Sequence, residues 1–211
     1  MGLDDLRGLR KGETIWVLGS GPSLNFLTGD FFADKTIIST NFSARTIGVQ
    51  PEYVFSHYHH VARELMGDSL ITVTLARDTR SQEVWAGEKP DHLVFSYQES
   101  YQPPGSNWDP LTSHKPAPGT LAYGSSSLHG AMHLAAWLGA AHIVLVGADC
   151  GTLDGEHRVA DYPDGGHNLW SLYNRHHQLM KSYLQTEYGV SVYSLNPFIN
   201  FNLEGHKFEG V

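Results

Sequence analysis

Residues 16 to 24 read Trp16-Val17-Leu18-Gly19-Ser20-Gly21-Pro22-Ser23-Leu24. An apolar strand runs into a tight Gly-Ser-Gly turn, and Pro22, Ser23 and Leu24 open a helix. Glycines let backbone approach a neighbour or a ligand with no Cβ in the way. Proline suits the first helical turn, where its missing N–H costs nothing. The free amides of such a helix start favour an anion. The expectation for Gly19, Ser20, Gly21, Pro22 and Ser23 is therefore a nucleotide phosphate site, set against a plain strand-to-helix turn.

The rest of the chain works outward from this turn. Thr14 to Leu18 is a buried strand. Lys35 to Thr40 is a second, ending at Asn41. After a break at Pro51, Glu52 to Ser56 is a third, ending at His57-Tyr58-His59-His60. A short helix covers Val61 to Met66, and Ser69 to Leu75 and His92 to Tyr97 read as two more strands. Residues 99–119 hold five prolines and two glycines, a density no regular element survives. A loop this long carrying Tyr101 and Trp108 suits a lid, or a plain surface loop. Ser125, Ser126 and Ser127 offer N-cap hydroxyls to a helix over Leu128 to Leu138, and Gly139 closes it. Ala141 to Gly147 is a continuous apolar strand, the kind buried on both faces of a parallel sheet, with Asp149 just past its end. A glycine-rich loop spans residues 150 to 167. Asn168 caps a helix running to Tyr188, Gly189 ends it, and Ser191 to Leu195 is a last strand.

Strands alternating with helices predict an α/β protein: one Rossmann-like domain over residues 1 to 211, a mostly parallel sheet flanked by helices, and a Pro-rich lid loop. Ligands bind such sheets at the carboxyl ends of strands. Ser20, Asn41, His57, Asp149 and the loop after residue 150 share that address, which predicts one cleft.

Bulk composition narrows the chemistry. The formal charge of −8 argues against a nucleic-acid backbone as main partner. A single cysteine, Cys150, rules out an intrachain disulfide and a Cys-based zinc site, and suits a reducing compartment. No apolar leader or membrane-length run is read, so the expected location is the cytoplasm, with no membrane span. Homo-oligomerisation is left open. Of the 13 histidines, the cluster at 57, 59 and 60 is read as solvated rather than metal-binding, His129 and His133 as packing or surface residues, and His176-His177 as structural. His157 and His167, in the glycine-rich loop, are the histidines expected in the site.

Several familiar chemistries fail on the residues. A dinucleotide redox site needs a third glycine in the turn and a carboxylate ending the second strand, where Asn41 stands. No Gly-Lys-Ser/Thr follows the glycines, and no Gly-x-Ser-x-Gly elbow occurs at the turn.

Gly19-Ser20-Gly21-Pro22-Ser23-Leu24 is similar to the Gly-Asn-Gly-Pro-Ser-Leu opening of bacterial sialyltransferases of the Campylobacter type. It also resembles the openings of motility-associated-factor glycosyltransferases and archaeal 6-hydroxymethylpterin diphosphokinases. In the sialyltransferases an asparagine ends the second strand, as Asn41 does. A Thr/Ser pair, here Ser126-Ser127, opens a small-residue helix before a strand ending Gly-x-Asp, here Gly147-Ala148-Asp149. Asp154-Gly155-Glu156-His157 is like the Asp-Gly-x-His loop of the motility-factor group. Ser20 departs from the asparagine of the sialyltransferase turn, and His57 stands near where the third strand of that family ends in asparagine.

This resemblance implies a glycosyltransferase that moves a sugar from a nucleotide-sugar donor to an acceptor hydroxyl of unstated class. His157 or His167 would be the general base, and Tyr162 or backbone amides would stabilise the departing phosphate. The turn at 19 to 24, Asn41, His57, Ser126, Ser127 and Asp149 would hold the donor nucleotide. No metal or other cofactor would be required. The alternative from a different class is an ATP- and Mg²⁺-dependent pyrophosphokinase of the hydroxymethylpterin type, with Asp149 and Asp154 on the metal. A third is a nucleotide-binding module without catalysis.

Overall fold

The computed structural model describes residues 1–75, 92–99, 119–122, 125–153, 155–163 and 169–195. Eight strands form one sheet: β1 (Thr14–Leu18), β2 (Thr36–Thr40), β3 (Tyr53–Ser56), β4 (Ile71–Leu75), β5 (Leu93–Glu99), β6 (Thr120–Ala122), β7 (His142–Val146) and β8 (Ser191–Ser194). Their order is β6-β5-β4-β3-β2-β1-β7-β8, and every pairing between neighbours is parallel. The expected α/β class with a parallel sheet is the fold observed.

Alternation along the central strands shows why the sheet is a middle layer. Ile15 and Val17 of β1 pack on one face with Ile38, Ile143 and Leu145. Trp16 and Leu18 pack on the other with Ile37, Val144 and Val146. Both faces are apolar, so both must be covered. Helices α3 (Ser127–Trp137) and α4 (Trp170–Tyr188) cover the first. The second is covered by two short 3-10 helices (Pro22–Phe26 and Gly29–Phe32), by α1 (Ser43–Thr46) and by part of the loop that follows β7; α2 (His59–Glu64) packs at β3 and β4.

Every residue of α3 is buried. The helix carries no Asp, Glu, Lys or Arg, as a crossover helix sealed between sheet and second helix requires. Gly130 is where it crosses β3, and a Cβ there would enter the Phe55 ring. His133 is accommodated by full hydrogen bonding: its Nδ1 accepts the Ala122 N–H, and its Nε2 lies 2.7 Å from the Tyr188 hydroxyl. Gly139 (φ 92°) and Gly189 (φ 70°) adopt the left-handed backbone expected after the last turns of α3 and α4.

Three local expectations are corrected. The segment that opens at Pro22 is one 3-10 turn with Gly21 as its N-cap, and Ser23 lies inside it. The strand β6 was not anticipated, because three residues carry too short a pattern to read, and β5 runs on to Glu99. The 99–119 stretch lies outside the described residues from 100 to 118, as do Asn168 and the tail from 196.

Candidate functional site

From β1 the chain builds the sheet outward through β2 to β6, then crosses back over α3 to place β7 on the other side of β1. The strand order therefore reverses between β1 and β7. Open parallel sheets bind ligands at the carboxyl ends of the strands beside such a reversal. The Gly19–Ser23 turn ends β1 there, and Gly147-Ala148-Asp149 ends β7.

The two segments interlock. Gly19 N–H donates to the Val146 carbonyl (2.7 Å) and Gly21 N–H to that of Gly147 (2.8 Å). A Cβ on Gly19 would sit 2.5 Å from the Gly147 carbonyl oxygen, and one on Gly21 would run into the Asp149 carboxyl. Both glycines are thus required by close backbone approach. Asp149, buried, accepts from Ser23 N–H at 2.6 Å and from the Ser23 hydroxyl at 2.5 Å. Leu24 N–H turns back to the Gly21 carbonyl. The amides of Gly19, Gly21, Ser23 and Leu24 are therefore engaged within the protein, and the acid at this helix start is Asp149's own. The strand-end carboxyl thus caps the short 3-10 helix that follows the turn. Ser20 is half-buried beside it.

A second group stands at the ends of β2 and β3. Asn41 takes a left-handed backbone (φ 48°), a conformation asparagine tolerates better than most residues. Its Oδ1 accepts the Ser56 hydroxyl at 2.7 Å, and its Nδ2 lies 3.4 Å from Ser127 Oγ at the start of α3. Ser126 N–H donates to Nδ1 of His129, the reciprocal half of a capping box, which leaves His129 neutral with its proton on Nε2. His57 follows Ser56, half-buried, with its ring 5.5 Å from that of Phe55. Asn41, His57, Ser126 and Ser127 are thus brought together at adjoining strand and helix ends.

The loop after β7 closes over the reversal. Val159 N–H donates to the Ser20 carbonyl and Ala160 N–H to Asn25 Oδ1, each at 2.9 Å. Val159 is buried in the same apolar cluster as Trp16 and Leu18. Tyr162 packs against that cluster, 6.3 Å from the Phe42 ring next to Asn41. The Arg158 guanidinium lies 5.8 Å from the Tyr162 ring centre. His157 is half-buried with its ring 6.5 Å from that of Trp170 at the start of α4. His167 and Asp154 lie outside the described residues.

Behind α3 the histidines read as structural are indeed buried. His129 sits 4.6 Å from His177 and 5.8 Å from His176, ring centre to ring centre. His176 Nδ1 is 2.8 Å from the Ser125 hydroxyl. Burial pushes His133 and His177 down to about 3, and holds His129 well below the ordinary histidine value, with the neighbouring imidazoles adding to it. Burial, with Asp149 alongside, pushes the Cys150 thiol up to about 12, so it is no nucleophile. Among the described residues no three His, Cys, Asp or Glu side chains gather as a metal site. No described helix is long and apolar enough to cross a membrane.

Sequence reasoning missed Arg158 and Phe42, since a lone arginine and a lone phenylalanine in loops carry no pattern. The partnership of Asp149 with Ser23 has no signal in the sequence, because the two stand 126 residues apart.

These features define an α/β fold whose strand order reverses between β1 and β7. No family profile matches the chain, and no curated protein does. Solved structures do. The chain is similar to the MAf glycosyltransferase from Magnetospirillum magneticum AMB-1 at TM-score 0.53 and 15% identity, over 93% of this chain and 36% of that one. It therefore spans about a third of that protein's length. It is also similar to the sialyltransferase CstII from Campylobacter jejuni, solved in complex with cytidine-5'-monophosphate, at TM-score 0.53 and 14% identity, over 94% of this chain and 89% of that one. The chain thus shares, almost end to end, a fold used by glycosyltransferases.

Proposed function

We propose that this protein is a glycosyltransferase that moves a sugar from a nucleotide-sugar donor to an acceptor hydroxyl. The observation that carries the reading is the grouping of Asn41, Ser56 and Ser127 at the strand ends beside the reversal, with the Tyr162 loop fastened to Ser20 across it. The nucleotide in the CstII structure supports the same class of ligand here.

In this reading the Asn41 group and His57 receive the nucleoside, with Ser20 and Ser126 at its margin. Gly19, Gly21, Pro22, Ser23 and Asp149 hold the wall of the cleft in place. The imidazole of His157 takes the proton of the acceptor hydroxyl; His167 is the second candidate for that role. The acceptor oxygen bonds to the anomeric carbon while the bond from that carbon to the donor phosphate oxygen breaks. The electron pair leaves with the phosphate, whose new charge Tyr162 helps to stabilise. None of these side-chain roles calls for a metal.

Calorimetric titration with CMP, UMP, GMP, AMP, UDP, GDP and ATP, each with and without Mg²⁺, tests the reading. Saturable, chelator-insensitive binding of one nucleotide family is expected. Binding of ATP alone, lost on adding chelator, would replace glycosyl transfer by pyrophosphoryl transfer, and binding of none would overturn both.

A further inference from the structure

Arg158 stands in the closing loop, with no carboxylate paired to it among the described residues. A guanidinium is always protonated and presents five N–H donors in a rigid fork, so shielding it without an acceptor is costly. Its Nε is buried with no hydrogen-bond partner among the described residues. Arg10 pairs with Glu13, and Arg45 with Glu64 and Asp68, away from Arg158 in the chain. The carboxyl at the reversal, Asp149, is held by Ser23. The Tyr162 ring lies at cation–π distance from the guanidinium, 5.8 Å from its carbon to the ring centre.

The backbone beside Arg158 is fixed. Val159 and Ala160 donate to Ser20 and Asn25 on the β1 side of the cleft. An arginine on pinned backbone, beside the loop that bonds the β1 turn, in a chain of net charge −8, fits one ligand chemistry, a phosphate. Four of the five amides in residues 19 to 24 are engaged within the protein, so the turn by itself offers a phosphate few donors.

We infer that Arg158 binds the donor phosphate, its fork on two non-bridging oxygens. This rests on the glycosyl-transfer reading and gives the phosphate a partner that the motifs did not. As the bond between sugar carbon and phosphate oxygen breaks, its electron pair stays on the phosphate and the acceptor's proton goes to the base. Arg158 then faces the larger negative charge and stabilises it.

The test compares the tightest-binding monophosphate among CMP, UMP, GMP and AMP with its own nucleoside, in wild type, Arg158→Gln and Arg158→Lys. Circular dichroism controls for folding. Wild type is expected to prefer the monophosphate by about tenfold or more. Arg158→Gln should bring the two ligands within about twofold, and Arg158→Lys should keep part of the preference. A wild-type preference retained in Arg158→Gln overturns the assignment and leaves glycosyl transfer standing. A second readout is the ¹⁵Nε resonance of Arg158, assigned by its loss in Arg158→Lys and titrated with inorganic pyrophosphate. If no nucleotide binds and pyrophosphate moves this resonance, the anion site stands and glycosyl transfer falls. If neither nucleotide nor pyrophosphate has an effect, both fall.

Discussion

The Gly19–Ser23 turn and the Asn41–Ser56–Ser127 group lie at carboxyl ends of the same sheet and are similarly rich in polar atoms, yet they are built to opposite ends. In the turn, each amide of Gly19, Gly21, Ser23 and Leu24 has a partner inside the protein, and a buried carboxyl closes the set. In the second group one oxygen of Asn41 holds Ser56, while its amide nitrogen makes only a long 3.4 Å approach to Ser127. Satisfied polar groups fix structure, whereas incompletely satisfied groups at a cleft can exchange a protein partner for a ligand. The contrast teaches that a strand-end address alone does not make a residue a ligand. Substitutions in the closed set should act on stability, and substitutions in the open set on binding and rate.

The largest effect is expected on the open side. With the donor picked out by titration, His157→Ala should lower turnover by about 100-fold or more, with unfolding free energy within about 0.5 kcal/mol of wild type. A melt displaced together with the activity would move His157 into the structural set. The same measurement on His167→Ala decides which histidine is the base.

Acid should act next, through the closed histidines. His133 and His177 have folded values near 3 against an ordinary value of 6.5. Groups depressed in the fold contribute stability above the unfolded value and lose it as pH falls. At pH 5 each should cost about 2 kcal/mol relative to pH 8, read by denaturant unfolding at the two values. His177→Gln should be less stable at pH 8 but flatten the slope by one proton's share.

Asp149→Ala should lower stability by about 3 kcal/mol, because Ser23 loses both acceptors in a buried setting. Gly21→Ala should also destabilise, since its Cβ meets the same carboxyl. If instead Asp149→Ala melts like wild type and loses only nucleotide affinity, the turn belongs to the open set. Asn41→Gly, which keeps the left-handed backbone, should have the smallest effect: about tenfold weaker nucleoside binding and about 1 kcal/mol of stability. Calorimetry and a melt separate the two terms.

Much of the fold was legible in the sequence because its signals are local. Runs such as Thr14 to Leu18 and Ala141 to Gly147 are apolar enough to be buried on both faces, and Gly139 and Gly189 mark helix ends by backbone alone. The strand β6 was not legible, since Thr120–Ala122 becomes a strand only by pairing with β5. The site was readable to the level of which loops converge. It was not readable to the level of who bonds whom. Asp149 and Ser23 are far apart in the chain, and only the reversal at β1 and β7 makes one the cap of the other. Arg158 belonged to no motif, and its meaning comes from partners it lacks among the described residues rather than from neighbours in sequence.

The position of β1 has a consequence for how the protein is made. β1 pairs with β2 early, Ile15 beside Thr36, but its other edge waits for His142 to Val146. At ordinary elongation rates roughly 10 s separate the emergence of β1 from that of β7 at the ribosome. During that interval a strand destined for burial on both faces has an open hydrogen-bonding edge. A nascent chain arrested before residue 142 should therefore be the species that chaperones hold most tightly, and release should coincide with synthesis of β7.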